Sequence, residues 1–177
     1  VAMTNKKAKK KKQGWVRGDM VPSRRKTYKL TSTKDNPAVT RFFTAGLGNC
    51  DFSAWDQRWN PDRVALIDDA SLLMPKTMII FRPHTGKTHQ LRVAAKSLGM
   101  PILGDETYSD AMEAKCMDRA YLHALALQVD VQGENVVIYN PPTSWYDSGN
   151  QEEDGMGDVL ARVMRKHCDE PDILDQI

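Results

Sequence analysis

The stretch F-R-P-H-T-G-K-T-H-Q-L-R, residues 81–92, joins an apolar run to a helical pattern. The preceding run, residues 76–81, is rich in Met, Ile and Phe and predicts a strand. A helix is predicted over about residues 88–98, because Gly99 and Pro101 are typical of positions just beyond a helix end. The stretch therefore predicts a strand, a tight turn and a helix in succession.

Cationic side chains gather at the start of that predicted helix. The helical period places His89, Arg92 and Lys96 on one face. The first turn of a helix carries amide groups without intrahelical partners, and Lys87 lies directly before it. This arrangement favours an anion, either a phosphate of RNA or a carboxylate.

The tripeptide Gly86-Lys87-Thr88 also matches the end of the phosphate-binding loop of nucleotide hydrolases. That loop requires a second glycine five positions before Gly86, where this chain has Phe81. Pro83 also removes a backbone amide from the loop that would cradle the phosphates. The sequence therefore argues against nucleotide hydrolysis.

Two further motifs follow at fixed spacing: P-I-L-G-D-E-T-Y at residues 101–108, and L-H-A at residues 122–124. Together with T-G-K-T-H-Q-L-R they resemble the C-terminal signature of the RluA-type RNA pseudouridine synthases. The resemblance implies an α+β fold with a mixed, largely antiparallel sheet and flanking helices. It also implies an RNA substrate, either rRNA or tRNA, and isomerisation of uridine without a metal or an organic cofactor.

The resemblance assigns roles to individual residues. Arg92 takes the place of the arginine that pairs with the catalytic aspartate, but the H-R-L-D-x-x-T-S-G stretch that carries this aspartate does not occur in the chain. The residues expected around a flipped-out nucleotide and its backbone are Thr85, Gly86, Lys87, His89 and Gln90. Lys87 stands where the family usually has arginine, so bidentate recognition of a phosphate is lost there.

Gly104 and Asp105 are expected to form a tight turn and a cap on the segment that follows. Tyr108 is expected either to pack beneath the site or to fill the core.

Charge is unevenly distributed although the net charge is only +2. Residues 1–34 contain twelve Lys or Arg and one acid, whereas residues 151–177 contain three Lys or Arg and eight acids. The run K-K-A-K-K-K-K at residues 6–12 predicts either a solvated tail or localisation signal, or a contact with RNA phosphates. The residues assigned to that contact are Lys9, Lys10, Lys11 and Lys12.

The domain organisation follows from these patterns. Residues 1–12 are predicted to be a basic disordered arm, residues 13–143 the C-terminal part of a synthase domain, and residues 144–177 an acidic appendage with a helix at 158–167. Residues 46–63 are predicted to be an insertion loop whose Trp55 and Trp59 pack rather than stack on bases. The strands are predicted at residues 13–20, 27–30, 38–44, 63–67, 76–81, 121–131 and 135–139.

The cysteines, the histidines and the absence of long apolar stretches indicate the compartment and the kinds of site to expect. Cys50, Cys116 and Cys168 are far apart and odd in number, which favours a reducing compartment, either the cytoplasm or an organelle such as the mitochondrion. We expect no secretory signal peptide and no membrane span, since the sequence has no long apolar stretch. The histidines lack paired ligand spacing, so we expect no metal site.

Two functions remain open from the sequence. The first is an RNA pseudouridine synthase, represented here without its catalytic-aspartate half. The alternative is a catalytically inactive, synthase-like RNA-binding protein that acts as a structural or assembly component of a ribonucleoprotein such as a ribosome. The missing aspartate and the change to Lys87 motivate the alternative.

Overall fold

The structure, a computed structural model, describes residues 1–8, 12–50, 52, 55–145 and 155–167. The strands are β1 Ala2–Thr4, β2 Gln13–Gly18, β3 Met20–Pro22, β4 Tyr28–Leu30, β5 Ala38–Gly46, β6 Thr77–Pro83, β7 Ala126–Val131 and β8 Glu134–Tyr139. The helices are α1 Pro61–Val64, α2 Gln90–Ser97, α3 Ala111–Lys115 and α4 Met156–His167. The predicted α+β class is confirmed, and the sheets formed by the described residues are antiparallel.

The central sheet has the strand order β1-β6-β5-β2 and carries an apolar layer on each face. On one face, Phe42 and Phe81 pack with Ala94 and Ala95 of α2. On the other face, Met78 packs in a larger core that includes residues of α4. Because successive side chains of a strand point to opposite faces, α2 and α4 lie on opposite sides of the sheet.

The N-terminal segment corrects the prediction of a disordered arm over residues 1–12. Strand β1 pairs with β6, and Met3 is fully buried. The apolar residues that precede the lysines therefore join the core. Lys6 follows shortly after this strand, and its Nζ lies 3.6 Å from Glu113 Oε1. Lys9, Lys10 and Lys11 lie outside the described residues.

The strand predicted at residues 63–67 is wrong, because the chain forms the end of α1 and a turn there. Pro61 occupies the first turn of α1, and the Asn60 side chain accepts a hydrogen bond from the Asp62 amide. Both are helix-start signals that outweigh the apolar run Val64–Ile67. Asp69 caps the 3-10 turn Ala70–Leu73 and does not join two strands.

The segment predicted as an insertion loop contains short helical turns and contributes to the core. Trp55 is buried, and its Nε1 donates to the Leu73 carbonyl at 3.1 Å. Trp59 packs against the same core. The expectation that both indoles pack is confirmed.

Strands β7 and β8 form a two-stranded ribbon with one apolar face. The register places Leu127 opposite Ile138 and Val129 opposite Val136. These four side chains and Val131 are all exposed. The turn between the strands uses left-handed backbone at Gln132 and Gly133, where the sequence predicts a hairpin turn.

Helix α4 begins two residues earlier than predicted and packs onto the sheet. The His167 ring stacks on Phe43 at 4.3 Å, and Leu160 is fully buried. None of the helices in the described residues has the length and hydropathy needed to cross a membrane.

Candidate functional site

The turn between β6 and α2 is held by the side chain of Gln90. Its Oε1 accepts from the Thr85 hydroxyl at 2.8 Å and from the Lys87 amide at 2.9 Å. Its Nε2 donates to the Val39 carbonyl at 3.1 Å and the Thr40 hydroxyl at 3.0 Å. Both donors and both acceptor positions of the amide are therefore used within the protein.

These contacts change the role expected for two predicted RNA-binding residues. Gln90 is only 6% exposed, so its side chain fixes the turn and does not reach a nucleotide. The Thr85 hydroxyl also accepts from the Val39 amide at 2.9 Å, which ties the turn to β5. Gly86 is exposed, and a Cβ atom added there would meet nothing within 4 Å, so the turn has an open surface at this residue.

His89 stands at the N-cap of α2 with left-handed backbone, φ 58°. Its Nδ1 lies 2.9 Å from the Tyr108 hydroxyl, which also accepts from the Tyr28 amide at 2.9 Å. The His89 ring makes edge contacts with Tyr28 and Tyr108. A residue held in this uncommon conformation by surrounding contacts is typical of functional positions.

Arg92 is fixed by an acid of the same chain, which the sequence did not predict. Its Nε donates to Asp105 Oδ2 at 2.9 Å and its Nη2 to Asp105 Oδ1 at 2.6 Å. The guanidinium carbon also lies 5.0 Å from the centre of the Tyr108 ring. These two hydrogen bonds use the edge of the guanidinium formed by Nε and Nη2, and Nη1 takes no part in them. The Arg92 side chain is 27% exposed.

Asp105 is the buried centre of this arrangement. Its side chain is 1% exposed, and Oδ1 also accepts from the Thr107 and Tyr108 amides at 2.9 and 3.2 Å. Gly104 before it has φ 76°. The predicted turn and cap are confirmed, and the same carboxylate also orients Arg92.

The pKa of Asp105 follows from these contacts. Burial raises it, but hydrogen bonds from Arg92 and from the Thr107 and Tyr108 amides outweigh burial and leave the pKa below its ordinary value of 3.8. The Asp105 hydrogen bond raises the pKa of Arg92. Both groups are therefore charged at neutral pH.

We expect Asp105→Asn to lower the free energy of unfolding at pH 7 by about 3 kcal/mol, because it leaves Arg92 without its ionic partner. A carboxyl with a depressed folded-state pKa stabilises the fold above its unfolded pKa. The stabilisation is lost as the pH falls from the unfolded-state pKa, about 4, through the lower pKa that Asp105 has in the folded protein. Urea unfolding should show that the difference in free energy of unfolding between the wild type and Asp105→Asn is smaller at pH 3 than at pH 7. An equal difference at both pH values would contradict this account.

Lys87 does not project freely from the turn. Its Nζ donates to Asn36 Oδ1 at 2.6 Å. Asn36 in turn donates its backbone amide to Asp19 at 2.9 Å. The Thr33 hydrogen bond is the largest of the causes that lower the pKa of Asp19, and Lys87 adds a smaller effect. Lys87 thus links the turn to the loop before β5.

A basic hairpin tip lies beside these residues. Between β3 and β4, three consecutive exposed cations form a 3-10 turn, Arg24–Lys26. Arg25 and Lys26 have left-handed backbone, with φ 55° and 60°. Strand β4 carries Tyr28, whose amide bonds Tyr108, so the hairpin is attached to the residues that hold His89 and Arg92.

The structure brings together only some of the residues predicted for the site. The turn residues from Thr85 to Gln90 lie close to Arg92. Lys12 lies directly before β2, and its carbonyl accepts a hydrogen bond from the Thr44 hydroxyl. Among the described residues, no group of three or more His, Cys, Asp or Glu is arranged to hold a metal ion.

Sequence reasoning missed the residues that support the site from a distance. Tyr28 and the tip cations come from a hairpin whose neighbours in space are 60 to 80 positions away along the chain. The signal available for Tyr108 and Asp105 was the G-D-x-x-Y motif itself. It left the contact between Asp105 and Arg92 unspecified.

Comparisons with known proteins bear on this geometry. No protein-family model matches the chain. The chain is 42% identical over 130 residues to an uncharacterized RNA pseudouridine synthase of Haemophilus influenzae, an alignment that covers 73% of the chain and 46% of that protein. It is 38% identical over 69 residues to the dual-specificity RNA pseudouridine synthase RluA of Vibrio cholerae, covering 39% of the chain and 24% of the relative. The chain thus spans less than half the length of these curated relatives.

A solved structure titled Human RNA Pseudouridylate Synthase Domain Containing 1 has the same fold. It matches with a TM-score of 0.55 and 20% identity, over 79% of the chain and 52% of the human chain.

Proposed function

Because the chain belongs to the RluA-type RNA pseudouridine synthase family, we propose that the whole protein isomerises uridine to pseudouridine in structured RNA. The described residues then form the part of the domain that orients the catalytic acid. The aspartate itself is absent from these 177 residues. We therefore infer that the aspartate lies on a further segment of the same fold.

The observation that carries the proposal is the Arg92 guanidinium, held on one edge by Asp105 and beneath by Tyr108. A guanidinium fixed in this way can bind a second carboxylate through Nη1 and the remaining Nη2 proton. Such a contact keeps the second acid ionised and directed at the substrate. Asp105 cannot be that second acid, because its buried oxygens are already bonded to Arg92 and to backbone amides.

The chemistry needs an ionised carboxylate and no external reactant. The N-glycosidic bond of the uridine breaks, the uracil turns, and its C5 forms the new bond to the sugar while N1 gains the proton that C5 loses. A carboxylate assists by attacking the sugar or base, or as a general base. The target nucleotide must leave the helical stack to be reached, which favours loops and distorted regions of rRNA or tRNA.

The exposed cations near the site supply a surface for the RNA backbone. The hairpin tip Arg24–Lys26 is exposed and lies on the strand pair that contacts His89 through Tyr28. The lysine tract at residues 6–12 precedes β2. A polyanion such as RNA fits this charge, and we place the protein in an intracellular compartment that contains its RNA, the cytoplasm or an organelle.

Deleting the gene that encodes the chain, and mapping pseudouridine in total RNA, tests the proposed function. We expect one or a few uridine sites to lose the modification. Reintroducing the wild-type gene should restore these sites, and reintroducing Arg92→Ala should not. A map unchanged by the deletion would overturn the proposal. If RNA binding persisted in that case, the inactive ribonucleoprotein component would be the remaining function.

The two basic segments should contribute separately to the salt dependence of RNA binding. We expect the triple variants Arg24→Ala/Arg25→Ala/Lys26→Ala and Lys9→Ala/Lys10→Ala/Lys11→Ala each to reduce the slope of log affinity against log salt by about 2 to 3, since each neutralised phosphate contributes roughly 0.9. Filter binding across a salt series measures the slope. Lys115→Ala, which removes an exposed cation from α3, is the control, and an unaltered slope in a triple variant would remove that segment from the interface.

A further inference from the structure

A second group of cations surrounds an exposed tryptophan on the face of the sheet opposite α2. The strand register places Trp15 of β2, Arg41 of β5 and Arg82 of β6 in one row across the sheet. Trp15 is 43% exposed. The guanidinium carbons of Arg17 and Arg41 lie over its ring, 4.5 and 5.3 Å from the ring centre, so the indole and the two cations form one surface.

The two cations next to the indole, Arg17 and Arg41, have no acidic partner among the described residues. The polar contact of Arg41 is with Gln13 Oε1 at 3.4 Å. Like charges held close together repel, and an exposed indole leaves a large apolar surface in water. A ligand that combines negative charge with a flat aromatic surface would relieve both costs.

The position of the group connects it to the candidate site. The His84 ring lies 5.0 Å from the Trp15 ring, and the His84 amide bonds the Val39 carbonyl at 2.9 Å. The next residue, Thr85, begins the turn that leads to α2. Strand β2 directly follows Lys12 of the lysine tract. The tryptophan therefore lies on an edge strand of the central sheet, in contact with the residue that precedes the turn.

We propose that Trp15, Arg17 and Arg41 form a stacking site for an unpaired nucleotide of the bound RNA. The inference rests on the proposed function, because it takes RNA as the partner. The base stacks on the indole, and the guanidinium groups contact the adjacent phosphates. Indole and guanidinium planes are the surfaces on which single-stranded bases stack, with little dependence on sequence. A paired duplex keeps its base faces covered and cannot use the indole.

The test compares single-stranded and duplex RNA bound to the full-length protein. The probes are an oligouridylate of about ten nucleotides, within the usual site size of such surfaces, and a blunt duplex of the same length. We expect Trp15→Ala to weaken binding of the single strand about 10-fold and to leave duplex binding unchanged. Trp15→Phe retains an aromatic face and should restore most of the affinity.

Additional variants separate stacking from charge and from loss of structure. Arg41→Gln should weaken single-strand binding and reduce its salt dependence, whereas Trp15→Ala should leave the salt slope unchanged. Met112→Ala, which shortens another exposed apolar side chain, is the control and should bind as the wild type does. Unfolding midpoints establish that each variant is folded.

Three results would overturn the stacking site: single-strand affinity unchanged in Trp15→Ala, equal losses on single strand and duplex, or competition by polyglutamate as effective as that of RNA. The last result would indicate an acidic protein partner. The pseudouridine map reports separately on the proposed function. An unchanged map together with a Trp15-dependent affinity for single strands would leave the stacking site standing without the isomerisation.

Discussion

Replacing Arg92 with alanine in the full-length protein is expected to slow pseudouridine formation by about 1000-fold. Removing one preorganised charged contact at a reacting group typically costs about 100- to 1000-fold in rate, and each 1.36 kcal/mol in a barrier is tenfold in rate. RNA affinity should change by less than about 3-fold, since the cations of the hairpin tip and lysine tract remain. Single-turnover kinetics on an RNA identified from the pseudouridine map measures the rate.

The contact between Arg92 and Asp105 requires controls for stability, because the alanine variant leaves a buried carboxylate unpaired. The double variant Arg92→Ala/Asp105→Ala removes both charges and should recover part of the lost stability without recovering turnover. Lys115→Ala should react at the wild-type rate. Turnover by Arg92→Ala at the wild-type rate would exclude Arg92 from the reaction.

Gly104→Ala should cause the largest loss of stability among single substitutions near the site. An added Cβ would lie 1.8 Å from the Arg119 carbonyl oxygen, and the backbone φ of 76° is unfavourable for alanine. Overpacking and left-handed backbone together are expected to cost more than about 3 kcal/mol. The unfolding midpoint should fall by about 10 °C, and scanning calorimetry measures it.

Gly99→Ala is the matched control for the backbone contribution. Gly99 also has left-handed backbone, φ 70°, but an added Cβ there would meet nothing within 4 Å. Its cost should be about 1 kcal/mol, the strain alone. If the two variants were equally destabilised, the close approach of Gly104 to Arg119 would not be the cause.

Local signals in the sequence predicted the elements on which the site is built. Helix α2 was placed by the apolar period and by Gly99 at its end, and the turn before Asp105 by Gly104. The same kind of reasoning failed at residues 63–67, where composition indicated a strand but Asn60 and Pro61 begin a helix. It also failed at β1, where Lys6 to Lys12 obscured three residues that complete the sheet.

The geometry of the site depended on contacts that no local pattern specifies. Asp105 reaches Arg92 across 13 positions, and Tyr28 reaches Tyr108 across 80. The family resemblance placed Gln90 beside the nucleotide, yet its side chain turns inward to β5. Pairings of this kind are decided by tertiary packing, which a single sequence does not reveal.

The apolar face of the β7–β8 ribbon affects how the 177-residue chain behaves when purified. Leu127, Val129 and Ile138 present adjacent aliphatic groups to water, and a two-stranded ribbon is only marginally stable by itself. Surfaces of this kind adhere to one another. Concentrated samples of the isolated chain will therefore tend to become turbid on storage, and binding assays are best performed at low protein concentration.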